Sequence, residues 1–366
     1  MRELLTPFMR DKFLHALVVL GIVLSFFAVF QTNELTASVD WKTILTLTTL
    51  LMLTKGIELS GYFDKMGLKL VNKFRKQKTL ALFIVTLAAL LSTFLTNDVA
   101  LFITVPLTLS LSKSSEFPVG RLIIFEALAV NAGSLLTPIG NPQNILLWSK
   151  SGLSFMEFVM TMLPLSALLF IALLVLTACS FSNKEIAIPD SSLGGDYRHG
   201  LLLGTLVLYV LFIVALELDR TLPILILVPL FYLLCARRVL LQLDWGLLAV
   251  FVLMFIDVFL LTKLPILSNL IALIPHWSDG AHFLLAIGLS QVISNVPATI
   301  FLLHAVPSSV LLTWAVNIGG FGLLQGSMAN LIALRMANDR RIWWQFHLFS
   351  IPALFFAMIA GWLMLP

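Results

Sequence analysis

The sequence predicts an all-α polytopic membrane protein. It predicts two inverted repeats, each holding a re-entrant helical hairpin and a broken transmembrane helix. Three observations carry this reading: the apolar composition, the distribution of basic residues, and two pairs of polar motifs. Hydrophobic residues fill 59% of the 366 positions and charged residues 11%. Soluble domains carry about 25% charge, and the mean hydropathy here is +1.01. A core drawn from such a chain would cover nearly all of it, so lipid is its solvent.

The spans follow from length. A membrane helix needs about 20 apolar residues, and continuous runs of that kind exclude an outer-membrane barrel of alternating strands. Full spans are expected at 13–30, 43–61, 122–149, 162–181, 200–217, 222–236, 245–262, 310–334 and 343–365. The first run has no cleavage pattern after it and reads as a first helix, not a signal peptide. Two more apolar stretches, 79–111 and 281–306, are interrupted by polar clusters and read as hairpins that enter and leave on one side. Nine crossings plus two hairpins put the N-terminus in the cytoplasm and the C-terminus outside.

Charge tests that count. The segments 1–12, 62–79, 111–121, 182–199, 235–243 and 335–342, all cytoplasmic in this reading, hold 18 Lys and Arg. The external segments hold four, Lys42, Lys150, Arg220 and Lys263. The bias is the one the positive-inside rule requires. It would collapse if either hairpin were a single crossing. The net charge of +4 comes from residues scattered between apolar runs, which is no nucleic-acid footprint.

The repeat is written in the polar clusters. Ser92, Thr96, Asn97 and Asp98 mark the first hairpin; Ser290, Ser294, Asn295 and Thr299 mark the second. Asn131, Gly133, Gly140 and Asn144 face Asn317, Gly319, Gly326 and Asn330, with steps of 2, 7 and 4 in both. Asp40-Trp41 and Asp244-Trp245 open the helices before the two hairpins, and Phe158–Pro164 matches Phe346–Pro352. The resulting organisation is an N-terminal segment with the first helix (1–39), repeat 1 (40–181), a linker with connecting helices (182–243), and repeat 2 (244–366).

Gly- and Pro-rich breaks free backbone groups at membrane depth. That is tolerated only where protein or a water-filled cavity receives them. Tip and break of each half then form a cup of oxygens suited to a hard cation, while half-helix N-termini suit an anion. The substrate and ion ligands expected from this are Ser92, Thr96, Asn97, Asp98, Asn131, Gly133, Thr137, Asn141 and Asn144, with Ser290, Ser294, Asn295, Thr299, Asn317, Gly319 and Asn330 in the second half. The bland alternative is that such residues only glue helices together. Asp98 faces Val296 across the repeat, so the site is asymmetric. Its carboxylate reads as a proton carrier or cation ligand, or as a cap on the hairpin helix.

Other ionisable residues carry weaker signals. Lys55, Glu58 and Asp257 are expected to form structural pairs or to gate a pathway, and Glu126 to snorkel toward the cytoplasmic face or to take part in the site directly. The six histidines show no ligand spacing and read as interfacial. Cys179 and Cys235 read as core thiols. Trp343 and Trp344 fit an aromatic belt. The basic amphipathic segment 62–78 reads as lying on the cytoplasmic surface.

These motifs resemble the ion transporter superfamily that includes the arsenite pump, the NhaD sodium/proton antiporters and the citrate and dicarboxylate carriers. Ser294-Asn295 is similar to the hairpin tip of the dicarboxylate carriers, from which Val296 departs. Thr96-Asn97-Asp98 is similar to the tip of arsenite carriers, and Thr137 to Asn144 to the family's helix break. The resemblance implies an elevator-type carrier, homodimeric. Cation sites would fall at Ser92, Asn97 and Gly133 and at Ser290, Asn295 and Gly319, with substrate between the tips. The function expected is secondary transport of a small anion or oxyanion across a bacterial inner membrane, coupled to H⁺ or Na⁺. No cofactor, nucleic acid or metal site is expected. A sodium/proton antiporter is the alternative; an intramembrane enzyme or a channel is remote, since no catalytic dyad or zinc motif is present.

Overall fold

The computed structural model describes residues 8, 11–62, 65, 73–111, 117–186, 197–218, 220–337 and 339–365. Among the described residues it holds 18 α-helices and no strand. The basic segment 62–78 lies largely outside the described residues.

The helices fall into four groups along the chain. A first group is α1 (Lys12–Ser25), α2 (Thr32–Ala37) and α3 (Trp41–Leu59). Asp40 caps α3, its carboxylate accepting from the Thr43 N–H at 3.0 Å. Next come α4 (Gln77–Phe94) and α5 (Asn97–Leu111), which pack on each other as a helical hairpin. The helices α6 (Val119–Ser134) and α7 (Pro142–Ser151) follow, separated by irregular chain, then α8 (Phe155–Ser180). Pro142 opens α7, where its missing N–H costs nothing.

The connecting helices are α9 (His199–Glu217), α10 (Leu222–Cys235) and α11 (Arg237–Leu241). After them α12 (Trp245–Thr262) repeats the entry of α3. Asp244 accepts from the Leu247 N–H at 2.9 Å, and Trp245 Nε1 donates to the Leu240 carbonyl at 2.9 Å. Trp41 Nε1 donates to the Thr36 carbonyl at 2.9 Å in the same manner. A short α13 (Pro265–Leu273) leads to the second hairpin, α14 (Asp279–Ile293) and α15 (Asn295–Leu302). The chain ends with α16 (Val310–Ile318), α17 (Met328–Ala337) and α18 (Arg340–Met364).

Among the described residues, five helices are long and apolar enough to cross a membrane: α4, α8, α9, α12 and α18. This differs from the nine full spans expected: 43–61 (α3) is not among the five, while α4, an arm of the expected first hairpin, is. The apolar run 13–30 is helical only to Ser25, and α10 has 14 residues. At 1.5 Å per residue each of these two rises about 21 Å, short of a hydrocarbon core of about 30 Å. Both broken spans divide into pieces of 16 or fewer residues. Sequence hydropathy runs on through such ends because apolar residues continue past the last helical turn.

The core lies around α6, which is buried without interruption from Leu122 to Ser134. By contrast α8, α9 and α18 are only 28% buried in their apolar windows, which is the surface of a chain solvated by lipid. Cys179 and Cys235 are free and exposed on such apolar helices, not in the core. At the far end of α12, Lys263 pairs with Glu34 of α2 at 2.8 Å. The Lys263 amine, with the Gln31 N–H, holds the Glu34 carboxyl below its ordinary value.

Candidate functional site

Each hairpin tip starts a helix. Leu95 and Thr96 turn the chain between α4 and α5. The Asn97 N–H donates to the Gly140 carbonyl at 3.2 Å, joining the first tip to the first break. Ser294 alone turns the second hairpin, at φ 72° and ψ 155°. That region is essentially reserved for glycine and costs another residue about 1–3 kcal/mol.

Side chains replace the lost helical bonds in each break. Asn144 Nδ2 donates to the carbonyls of Ser134, Leu135 and Thr137 at 3.3, 3.1 and 3.0 Å. Thr137 Oγ1 donates to the Thr93 carbonyl at 2.5 Å. In the second half Gln291, an arm residue of the hairpin, braces the break. Its Nε2 donates to the Gly319 carbonyl and its Oε1 accepts from the Leu323 N–H, both at 2.7 Å. Asn330 Nδ2 donates to the Gly320 carbonyl at 3.0 Å.

Three asparagine pairs cross between the halves. Asn131 Nδ2 donates to Asn330 Oδ1 at 2.8 Å, and Asn317 Nδ2 donates to Asn144 Oδ1 at 2.7 Å. Asn317 Oδ1 also accepts from Asn141 at 3.0 Å. A Cβ on Gly320 would lie 3.3 Å from Asn131 Oδ1 and 3.4 Å from Asn295 Nδ2, so both side chains reach the second break. Glycine sets the approach of hairpin to break. A Cβ on Gly133 would meet the Ala89 carbonyl at 2.1 Å and Ser92 Oγ at 2.6 Å. A Cβ on Gly319 would meet Ser290 Cβ at 2.4 Å.

Every site residue expected from the sequence is buried. They do not all stand free. Ser92, Ser290 and Thr299 donate to carbonyls of their own helices, at 2.9, 2.8 and 2.7 Å. Asn144 is occupied by the break. Among the described residues, five buried oxygens on the tips and breaks have no hydrogen-bond partner. They are Thr96 Oγ1, Asp98 Oδ1, Gln143 Oε1, Ser294 Oγ and Ser327 Oγ. A buried polar atom left unpaired costs about 1–3 kcal/mol, so these atoms are expensive to hold open. Gln143 and Ser327 lie inside the aligned motifs, where their position in the breaks was the available signal.

Asp98 opens onto a cavity of about 670 Å³ between the end of α3, the start of α5 and the start of α12. Lys55, Glu58 and Asp244 line the same cavity. Lys55 Nζ binds Glu58 Oε1 at 2.7 Å, within one helix, and neither reaches Asp257. Asp257 is buried against Gly21 of α1, and both its carboxylate oxygens lack a partner among the described residues. Glu126 does not snorkel. It is fully buried and accepts a hydrogen bond from Thr108 Oγ1 of α5, because its side chain turns into the α5–α6 contact. A second cavity, about 450 Å³, lies at the opposite end of α3 and is lined by Lys42, Thr46, Ile145 and Glu217. At that end Lys150 of α7 pairs with Asp40 at 3.0 Å.

A citrate transporter family model matches residues 5–310. The chain belongs to the citrate transporter family. It is 56% identical over 363 residues to the inner membrane protein YbiR of Escherichia coli, covering 98% of each chain. It is 33% identical over 333 residues to an uncharacterized transporter of Methanocaldococcus jannaschii, covering 90% of each. A silicon efflux transporter of Oryza sativa is 29% identical over 146 residues, 40% of this chain and 30% of that one. With these relatives, the chain is a membrane transporter with an all-α body.

Proposed function

We propose that this transporter moves a small anion or oxyanion across the bacterial inner membrane, coupled to H⁺ or Na⁺. The observation that carries the reading is the set of five unpartnered buried oxygens on two tips and two breaks. Four helices of eight or more residues begin at those tips and breaks: α5, α7, α15 and α17. Their N-termini present positive dipole ends, which stabilise an anion. The oxygens beside them serve the coupling cation. Asp98 is the one carboxylate at either tip and carries the coupling charge.

The two halves act as inverted repeats. The support is reciprocal: Asn131–Asn330 and Asn317–Asn144 join matched positions in opposite order, and Gly133–Ser92 has its counterpart in Gly319–Ser290. Hairpins and broken helices move as one body against α3, α9, α10 and α12, in a homodimer with cytoplasmic N-termini. A sodium/proton antiporter is the second reading, favoured by the three carboxylates that line the Asp98 cavity.

Thermal melting of the purified protein tests this. Citrate, smaller dicarboxylates, oxyanions and silicic acid are added with and without sodium. A ligand at 100 times its Kd stabilises by about 2.7 kcal/mol. The expected result is an anion-dependent rise in Tm that sodium or protons enhance. In Asp98→Asn that enhancement disappears. A rise with sodium alone selects the antiporter; no rise with any addition overturns the carrier reading.

A further inference from the structure

Lys55 is hard to explain as a structural residue. It lies on α3, a helix of 19 residues, four positions before its end. Its partner Glu58 is on the same helix, one turn away. Such a pair ties no two elements together. Pairs at this spacing return only a small part of the cost of a lysine within the span that the sequence predicts at 43–61. The side chains of Lys55 and Glu58 remain 23% and 32% exposed. That exposure opens onto the cavity that also receives Asp98 and Asp244. Lys55 is the only basic side chain among the described residues lining that cavity. An ammonium has three donors; Glu58 takes one at 2.7 Å.

We infer that Lys55 is the contact of α3 for the transported anion, and that Glu58 is the internal competitor occupying the amine until the anion arrives. The inference rests on the proposed anion transport and adds a binding residue outside the tips and breaks. The chemistry is that of a carboxylate or oxyanion, which substitutes for the Glu58 carboxylate at the same ammonium. Asp98 and Asp244 oppose an anion entering this cavity. A cation held at Asp98 removes part of that opposition, so anion and cation each favour the other's binding, as linkage requires.

The test is anion titration by thermal melting of the full chain, at one pH and saturating sodium, using whichever of the anions named above raises the wild-type Tm most. Lys55→Gln should raise the half-saturating concentration at least tenfold. Glu58→Gln should lower it several-fold, because the amine loses its competitor. Lys55→Arg should restore part of the Lys55→Gln loss. The opposed signs separate binding from damage to the fold, which would weaken both glutamine variants alike. If wild type responds and Lys55→Gln responds at the same concentration, or if Glu58→Gln weakens binding, the role of Lys55 is wrong while anion transport stands. If no anion moves wild type, both fall together.

Discussion

At the scale of the residue, Ser294 concentrates the contradictions of a binding site. Its backbone takes a conformation suited to glycine, and its hydroxyl is buried without a partner. Both features cost stability, and a glycine would make the same turn without the strain or the buried hydroxyl. Ser294→Gly relieves the backbone, worth about 1–3 kcal/mol, against roughly 0.5–1 kcal/mol for the added freedom of glycine in the unfolded chain. The expected outcome is a net gain of about 1 kcal/mol, read as a higher Tm in detergent. Ser294→Ala keeps the strain and should show no such gain from the backbone. Both variants remove Oγ, so both should weaken the anion-dependent Tm rise. A glycine variant that is more stable and binds equally well would make Ser294 a turn residue only.

At the scale of the element, the contact of hairpin with broken helix is governed by missing side chains. Gly133→Ala drives a methyl toward the Ala89 carbonyl, a backbone atom that cannot turn aside. Gly319→Ala drives one toward the Ser290 side chain. Overpacking of this kind costs about 1–3 kcal/mol, and Gly133→Ala should cost more than Gly319→Ala. Gly288→Ala on α14 meets nothing within 4 Å and serves as the control, expected to leave the Tm unchanged or raise it. Equal melting of all three variants would remove the packing argument.

These glycines were legible in the sequence because they recur at fixed spacing from asparagine in both halves. The breaks were legible too, since Gly, Pro and Asn interrupt apolar runs there. Helix lengths were not legible. Hydropathy does not distinguish Phe26, Phe27 and Val29, which lie beyond α1, from the helix before them. The direction of Glu126 was equally hidden, because its partner Thr108 lies on another helix. The same holds for the cavity shared by Asp98, Lys55 and Asp244. It arises from the packing of three elements far apart in the chain, which no local pattern records.

At the scale of the whole molecule, the two ends of the α3–α12 pair differ. At one end Lys150 of α7 grips Asp40, the cap of α3, at 3.0 Å. The matched positions at the other end are Met336 of α17 and Asp244, the cap of α12, and there the large cavity is open. Methionine cannot close it with an ion pair. If the hairpins and broken helices move against α3 and α12, Lys150–Asp40 must break in the exchange, and nothing equivalent forms at the opposite end. The pair therefore biases the molecule toward the state with Asp98 open to its cavity. Lys150 is 54% exposed, and such a pair contributes about 0–1 kcal/mol. Its loss shifts a two-state ratio by up to about fivefold, since 1.4 kcal/mol is a factor of ten. The minor state is the sensitive readout. Val296, matched to Asp98 in the second tip, is buried, and the proposed movement would expose it in the opposite state. With Cys179 and Cys235 replaced by serine, a cysteine at position 296 should react with a polar thiol reagent up to about fivefold faster in Lys150→Met than in its parent, within the range set by that ion pair. An unchanged or slower rate would mean that the ion pair holds the two bodies together without choosing between states.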